Sequence, residues 1–173
     1  MVEFLDYNVE NALKLSIVLH LGTVISACIY FRRDIFQIIS NLKNYKFGYE
    51  GKINSLTTFI VISTISSSIV GLVIFSNLLN IIESNIILLI IGIGLIVTGI
   101  IQRSVKSTIK TNNDLNHYVT IVTGILQGFA VIPGISRSGI TTSYLLLNKY
   151  DPQTALRLSF IMSIPAVIIA NLY

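Results

Sequence analysis

Apolar positions in this chain fall into long blocks, and the charged positions gather between them. Four blocks approach the roughly 20 residues that an α-helix needs to cross a bilayer. They cover about 12–31 (ALKLSIVLHLGTVISACIYF), 56–76 (LTTFIVISTISSSIVGLVIF plus one residue), 86–101 (IILLIIGIGLIVTGII, extended at its start by 78–82) and 154–173 (TALRLSFIMSIPAVIIANLY). The last holds Arg157 near its start and Pro165 in its middle. The pattern predicts an all-α, polytopic membrane helical bundle.

One stretch departs from it. Residues 118–148 are mostly apolar but are interrupted by Pro133-Gly134 and by Ser136-Arg137-Ser138-Gly139. Two crossings would need roughly 40 residues, and a single crossing would leave the polar cluster in hydrocarbon. A re-entrant hairpin over 118–148 resolves both problems, with one half-helix descending, a turn at Pro-Gly and a second half-helix returning from near Ser138. Irregular backbone at membrane depth is tolerated only inside protein or beside a water-filled cavity, so the hairpin predicts a cavity.

Composition agrees with a membrane domain. The 173 residues are 53% hydrophobic and 12% charged, about half the usual charged share of a soluble domain, and the mean hydropathy is +0.77. One cysteine, Cys28, excludes a disulfide framework. The net charge of +4 could suggest nucleic acid, but the cations cluster beside apolar blocks, which is a topology signal; no nucleic-acid partner is expected. Arg32, Arg33, Lys43, Lys46 and Lys52 follow the first block, and Arg103, Lys106 and Lys110 follow the third; the loop around Glu83 has no cation. The positive-inside rule places both basic loops in the cytoplasm and the N-terminus outside a multi-pass cell-membrane protein. Glu3, Asp6 and Glu10 occupy the place of a basic n-region, so the first block reads as a span and not as a signal peptide.

Arg137 is the chemical anomaly, because a cation at the bilayer centre costs about 3 to more than 10 kcal/mol. Glycines beside it allow close approach of a ligand, Ser136, Ser138 and Thr141 supply hydroxyls, and the start of a helix supplies free N–H groups. Together these groups suit a phosphate or diphosphate clamp. The plain alternative is an arginine that snorkels to a headgroup or pairs with a carboxylate of another span. Three known phosphate motifs fail. A P-loop would need lysine where Ile140 stands, a cysteine-dependent phosphatase would need cysteine at Val131, and the phosphatidic-acid phosphatase pattern would need histidine at Ser143.

QGFAVIPGISRSGITT, from Gln127 to Thr142, resembles the second signature of the undecaprenyl-diphosphatase, or bacitracin-resistance, family, which centres on P-G-x-S-R-S-G. LHLGTVISACIYFRRDI at 19–35 and the tail from Ala155 resemble two further family stretches. The resemblance implies a membrane hydrolase that converts a polyprenyl diphosphate to the monophosphate and inorganic phosphate, recycling the carrier lipid of cell-envelope glycans. It also implies an inverted-topology repeat with two re-entrant hairpins, a homodimer, and a divalent cation, magnesium or calcium. By position, Arg137 and Ser136 would act on the diphosphate, and Ser138, Gly139, Thr141, Gly134 and Gln127 would bind it.

The family's first signature, a glutamate-rich stretch followed by proline and S-S-x-G-H, has no counterpart before residue 19, and Glu3-Phe4-Leu5 only echoes it. No metal ligand is therefore expected in this chain, since the carboxylates that hold the cation belong to the absent stretch. His20 reads as a packed residue and His117 as a solvated one. The sequence is expected to be one integral-membrane domain over 1–173, incomplete relative to the family and inactive alone, with an active longer form. Its end within the last block fits the same expectation. Two other readings remain: a lipid or anion transporter (flippase) half using the same clamp, and a structural membrane subunit. The Gly124/Gly128 and Ser67/Gly71 pairs would serve tight helix packing in the latter.

Overall fold

The computed structural model describes residues 22–48, 50–78, 84–105 and 115–170. Among these the chain is helical, without strands. Residues 22–30 form α1, followed by α2 (Arg32–Asn41), a 3-10 turn (Leu42–Asn44), α3 (Lys52–Leu78), α4 (Ser84–Ser104), α5 (His117–Phe129), α6 (Arg137–Leu147) and α7 (Pro152–Ala170). The second, third and fourth apolar blocks thus fall on α3, α4 and α7. Of the first block only the part from residue 22 is described, and His20, Glu3 and the extension of the third block over 79–82 lie outside the described residues. The basic stretch after residue 31, expected as a loop, is helical over Arg32–Asn41. It bears an apolar face (Ile35, Ile38, Leu42) among its charges, and Ile38 packs on the core.

Lys52–Asn77, with a mean hydropathy of 2.2 over its best window, is the one helix among the described residues long and apolar enough to cross a bilayer. Beyond Leu56, Phe59 and Ile60, which join the core, its burial pattern departs from that of a soluble helix. Thr57, Thr58, Ser63 and Ser67 are buried, whereas Ile65, Ile69, Leu72, Val73 and Phe75 are exposed. Such an arrangement suits surroundings as apolar as the exposed side chains. Several hydroxyls of the interior are satisfied within their own helices, although Thr64 and Thr142 Oγ1 find no partner among the described residues. Thr57 donates to the Ile53 carbonyl (2.9 Å), Ser66 to Ile62 (2.9 Å), Thr98 to Gly94 (2.9 Å) and Thr123 to Val119 (2.6 Å). Water is not needed for any of them.

α5 and α6 make a helical hairpin of 13 and 11 residues. At 1.5 Å per residue these helices are about 20 and 17 Å long, well short of the roughly 30 Å hydrocarbon core. Both outer ends of the hairpin lie at the start of α3. The His117 ring stacks on Phe47 at 5.7 Å, so this exposed histidine has a partner, and Tyr150 joins Leu56 and Phe59 in the core. The tip lies elsewhere. Val131 packs beside Gly71 of α3, and Gly134 beside Ile91 and Gly94 of α4. The hairpin therefore reaches partway along its neighbours and returns.

Three glycines allow this. A Cβ on Gly124 would stand 2.6 Å from the Ser63 carbonyl oxygen, and one on Gly128 would stand 2.7 Å from Val70. At the tip Gly134 has φ +92°, and a Cβ there would lie 2.3 Å from the Ile91 carbonyl oxygen. Asn116 caps α5 by accepting from the Val119 N–H (2.8 Å). Asp151 caps α7 by accepting from the Thr154 N–H (2.9 Å).

Gly134→Ala should lower the unfolding free energy by more than about 2 kcal/mol, measured by denaturant titration in micelles, because it adds both backbone strain and a clash. Gly99→Ala, whose Cβ would meet no atom within 4 Å, should be neutral or stabilising.

Bonds from the Thr154 side chain and N–H hold the Asp151 carboxyl below the usual carboxylate range. Its contribution to stability is therefore complete above the unfolded-state pKa of about 3.9 and fades as pH falls through the lower folded-state value. Asp151→Ala should cost about 1 kcal/mol at neutral pH, and the difference from wild type should shrink in acid melts.

Candidate diphosphate-binding site at the start of α6

The chain leaves the tip at Gly134 and enters α6 through Ser136, which is extended (φ −74°, ψ 111°) and caps the helix. The Gly139 N–H donates to Ser136 Oγ (3.2 Å) and the Ile140 N–H to the Ser136 carbonyl (2.9 Å). Ser136 is itself held by α4, since its N–H donates to Thr98 Oγ1 at 3.2 Å. Thr98 passes its own proton to the Gly94 carbonyl, so a short relay ties the cap to the mid-section of α4. With Gly139 and Ile140 engaged, the N–H groups of Arg137 and Ser138 are the open donors of the first turn.

Arg137 is half-buried, and its guanidinium makes no hydrogen bond or ion pair among the described residues. The pairing with a carboxylate of another span, considered from sequence, is not seen here. The other arginine of the apolar blocks is paired. Arg157 donates from Nε and Nη2 to the two carboxylate oxygens of Asp34, at 2.8 and 2.5 Å. Asp34 escaped notice in the sequence because it lies just past the first block, 123 positions from its partner.

Arg137 borders two cavities. One, of about 370 Å³, is rich in hydroxyls: Thr23, Ser136, Ser138, Ser159 and Ser163 line it. The other, of about 350 Å³, lies between α3 and α5, with Leu72, Phe75 and Val131 beside Ser67, Ser68 and Gln127. Gln127 is 4% exposed. Its Nε2 donates to Ser67 Oγ (3.2 Å) and to the Met162 carbonyl (3.4 Å), and its Oε1 has no partner. The Met162 carbonyl can only accept, which fixes the orientation of the amide.

Of the seven residues singled out from the sequence, Arg137, Ser136, Ser138 and Gln127 therefore line a cavity. Gly134, Gly139 and Thr141 line neither. Gly134 forms the tip. Gly139 packs against Thr98 and Gln102, leaving no room for a side chain. Thr141 is fully buried; its hydroxyl donates to the Arg137 carbonyl (2.8 Å) and accepts from Ser159 Oγ (2.6 Å). Thr98, Ser159, Ser163 and Thr23 were missed. The available signal was a hydroxyl residue within an apolar block, which is too common in such helices to single out four.

A sequence model of the family described as bacitracin resistance protein BacA matches residues 1–173. The chain belongs to this family. Among its relatives are proteins named undecaprenyl-diphosphatase. The one from Methanococcoides burtonii is 42% identical over 180 residues, covering 99% of this chain and 66% of the relative. That from Saccharolobus islandicus is 36% identical (96% and 60%), and that from Haloarcula marismortui 32% (91% and 60%). The BacA-family chain thus spans slightly under two thirds of the length of these relatives.

The divalent cation implied by the family resemblance does not fit the described donors. Beside Arg137 these are hydroxyls and one amide oxygen, and both oxygens of Asp34 are taken by Arg157. Among the described residues no three His, Cys, Asp or Glu side chains come together. Hard divalent cations are normally held through carboxylates.

Thr98→Val should leave the Ser136 N–H without its acceptor and destabilise the start of α6 by about 1 kcal/mol. Hydrogen exchange at the Ser136 amide should then speed up roughly fivefold, with little change at Val119 in α5.

Proposed function

We propose that this chain carries the diphosphate clamp of a membrane undecaprenyl- (polyprenyl-) diphosphate phosphatase. The observation that carries the reading is Arg137, a half-buried guanidinium without a partner among the described residues at the start of α6, between a hydroxyl-rich cavity and a more apolar one. A diphosphate on the hydroxyl-rich side would receive the guanidinium fork, the Ser136 and Ser138 hydroxyls and the open N–H groups of the first turn. Ser136 Oγ already accepts from Gly139, which leaves its proton free to donate. The more apolar cavity suits the first isoprene units. In this arrangement Gly134, Gly139 and Thr141 position the clamp, and Gln127 Oε1 accepts from a water or a protonated phosphate oxygen.

The resting place of the hairpin tip, against the middle of α4, supports a re-entrant hairpin entering from the basic, cytoplasmic side. In that orientation α3 and α4 are two crossings of a multi-pass cell-membrane protein and the N-terminus is outside. A divalent cation, which would neutralise the charge of the scissile diphosphate, would be held by carboxylates outside the described residues, and no step is assigned to a metal here. A partial inverted repeat and a homodimer remain part of the proposal by resemblance. The transporter reading gains nothing from the relatives compared, which all carry a diphosphatase name.

Farnesyl diphosphate should bind the purified chain in micelles, and Arg137→Ala should weaken binding about 100-fold, with Arg137→Lys intermediate. Unchanged binding in Arg137→Ala would remove the clamp. With polyprenyl diphosphate and a divalent cation added, any phosphate release should likewise fall at least ~100-fold in Arg137→Ala. Lipid translocation without release would favour the transporter.

A further inference from the structure

A second constellation lies at the other arginine. Arg33 and Lys52 stand with the Arg157–Asp34 pair around a cavity of about 440 Å³ between α2, α3 and α7. Three cations against one carboxylate leave this pocket with a formal charge of +2. The carboxylate is already committed, because both its oxygens accept from Arg157. The pair uses Nε and Nη2, so Nη1 of Arg157 is left as a donor. Arg33 and Lys52 are exposed and form no ion pair among the described residues.

Arg157 also lines a neighbouring groove of about 510 Å³ between α1 and α7. There its walls include Ala27, Tyr30, Phe31, Leu156 and Phe160. A basic pocket and an apolar groove therefore meet at one guanidinium. Arg157 is held in place by Asp34, so its position does not depend on a ligand.

We infer that this pair of cavities is a binding site for one anionic phospholipid of the bilayer, its headgroup phosphate at Arg33, Lys52 and Arg157 and an acyl chain along the α1–α7 groove. A free phosphate would satisfy the pocket but leaves the groove unexplained. A zwitterionic lipid would bring its own cation to a positive pocket. An anionic headgroup fits both the charge and its place on the basic α2–α3 segment, where each Lys or Arg near an anionic surface adds attraction. The inference rests on the membrane location proposed above and not on the phosphatase reading, because Arg137 lines neither cavity.

The test is native mass spectrometry of the detergent-solubilised chain titrated with phosphatidylglycerol, phosphatidylcholine or inorganic phosphate. One phosphatidylglycerol should bind per chain more tightly than phosphatidylcholine. R33Q/K52Q should weaken it about tenfold, while R32Q/K43Q, equal in charge change but outside the pocket, should not. Circular dichroism checks that both variants stay helical, and unchanged farnesyl diphosphate binding separates this site from Arg137. Equal binding of the two lipids, equal loss in both double variants, or phosphate displacing the lipid at equal concentration would each overturn the assignment.

Discussion

Close helix approach at Gly124, Gly128 and Gly134, onto backbone at the first and last and onto Val70 at the second, is the constraint on which the rest of the structure depends. At each position a single methyl group would overlap a neighbouring helix. The first two let α5 lie against α3. The third lets the tip rest on Ile91 and Gly94. With the tip seated, Ser136 reaches Thr98, α6 starts from a fixed point, and Arg137 enters the space between two cavities. A looser approach would let α6 shift along α4, and the guanidinium with it.

Hydroxyl side chains share the interior of this fold with its apolar core, while many large apolar side chains face outward. The hydrophobic effect gives no drive to bury leucine in an apolar solvent, so small residues and hydroxyls set the helix interfaces. Those hydroxyls are cheap to bury because most return their proton to a carbonyl one turn earlier. Arginine has no such internal solution. Arg157 meets Asp34 in a two-point ion pair, whereas Arg137 meets open space lined with hydroxyls. The same side chain is therefore a fixed brace in one place and, among the described residues, left without a protein partner in the other.

How much was legible in the sequence follows from the range of each interaction. The helices at 56–76 and 86–101 were readable because helix length and apolarity are local properties, and α3 and α4 contain both. The break at Pro133-Gly134 was readable because a proline-glycine pair ends a helix by its own geometry; the return helix starts at Arg137, one residue before the expected Ser138. The helical character of Arg32–Asn41 was obscured by its charges, which drew attention to sidedness and away from the apolar stripe beneath them. The Arg157–Asp34 pair was invisible, because 123 positions of chain separate two residues that meet only after α1, α2 and α7 have packed.

The sequence by itself determined the all-helical class, the position of the hairpin, the presence of a cation where cations are expensive, and a motif that places the chain in its family. These follow from hydropathy, from the conformational limits of proline and glycine, and from the cost of burying charge. The tertiary structure alone decided which polar residues face a cavity and which serve as struts. Gly139 and Thr141 stand within the motif, yet packing turns them toward α4 and α7, while Ser159 and Ser163, from a different helix, come to line the space beside Arg137. The direction in which a side chain points depends on what its helix packs against, and adjacency in a motif carries no record of that.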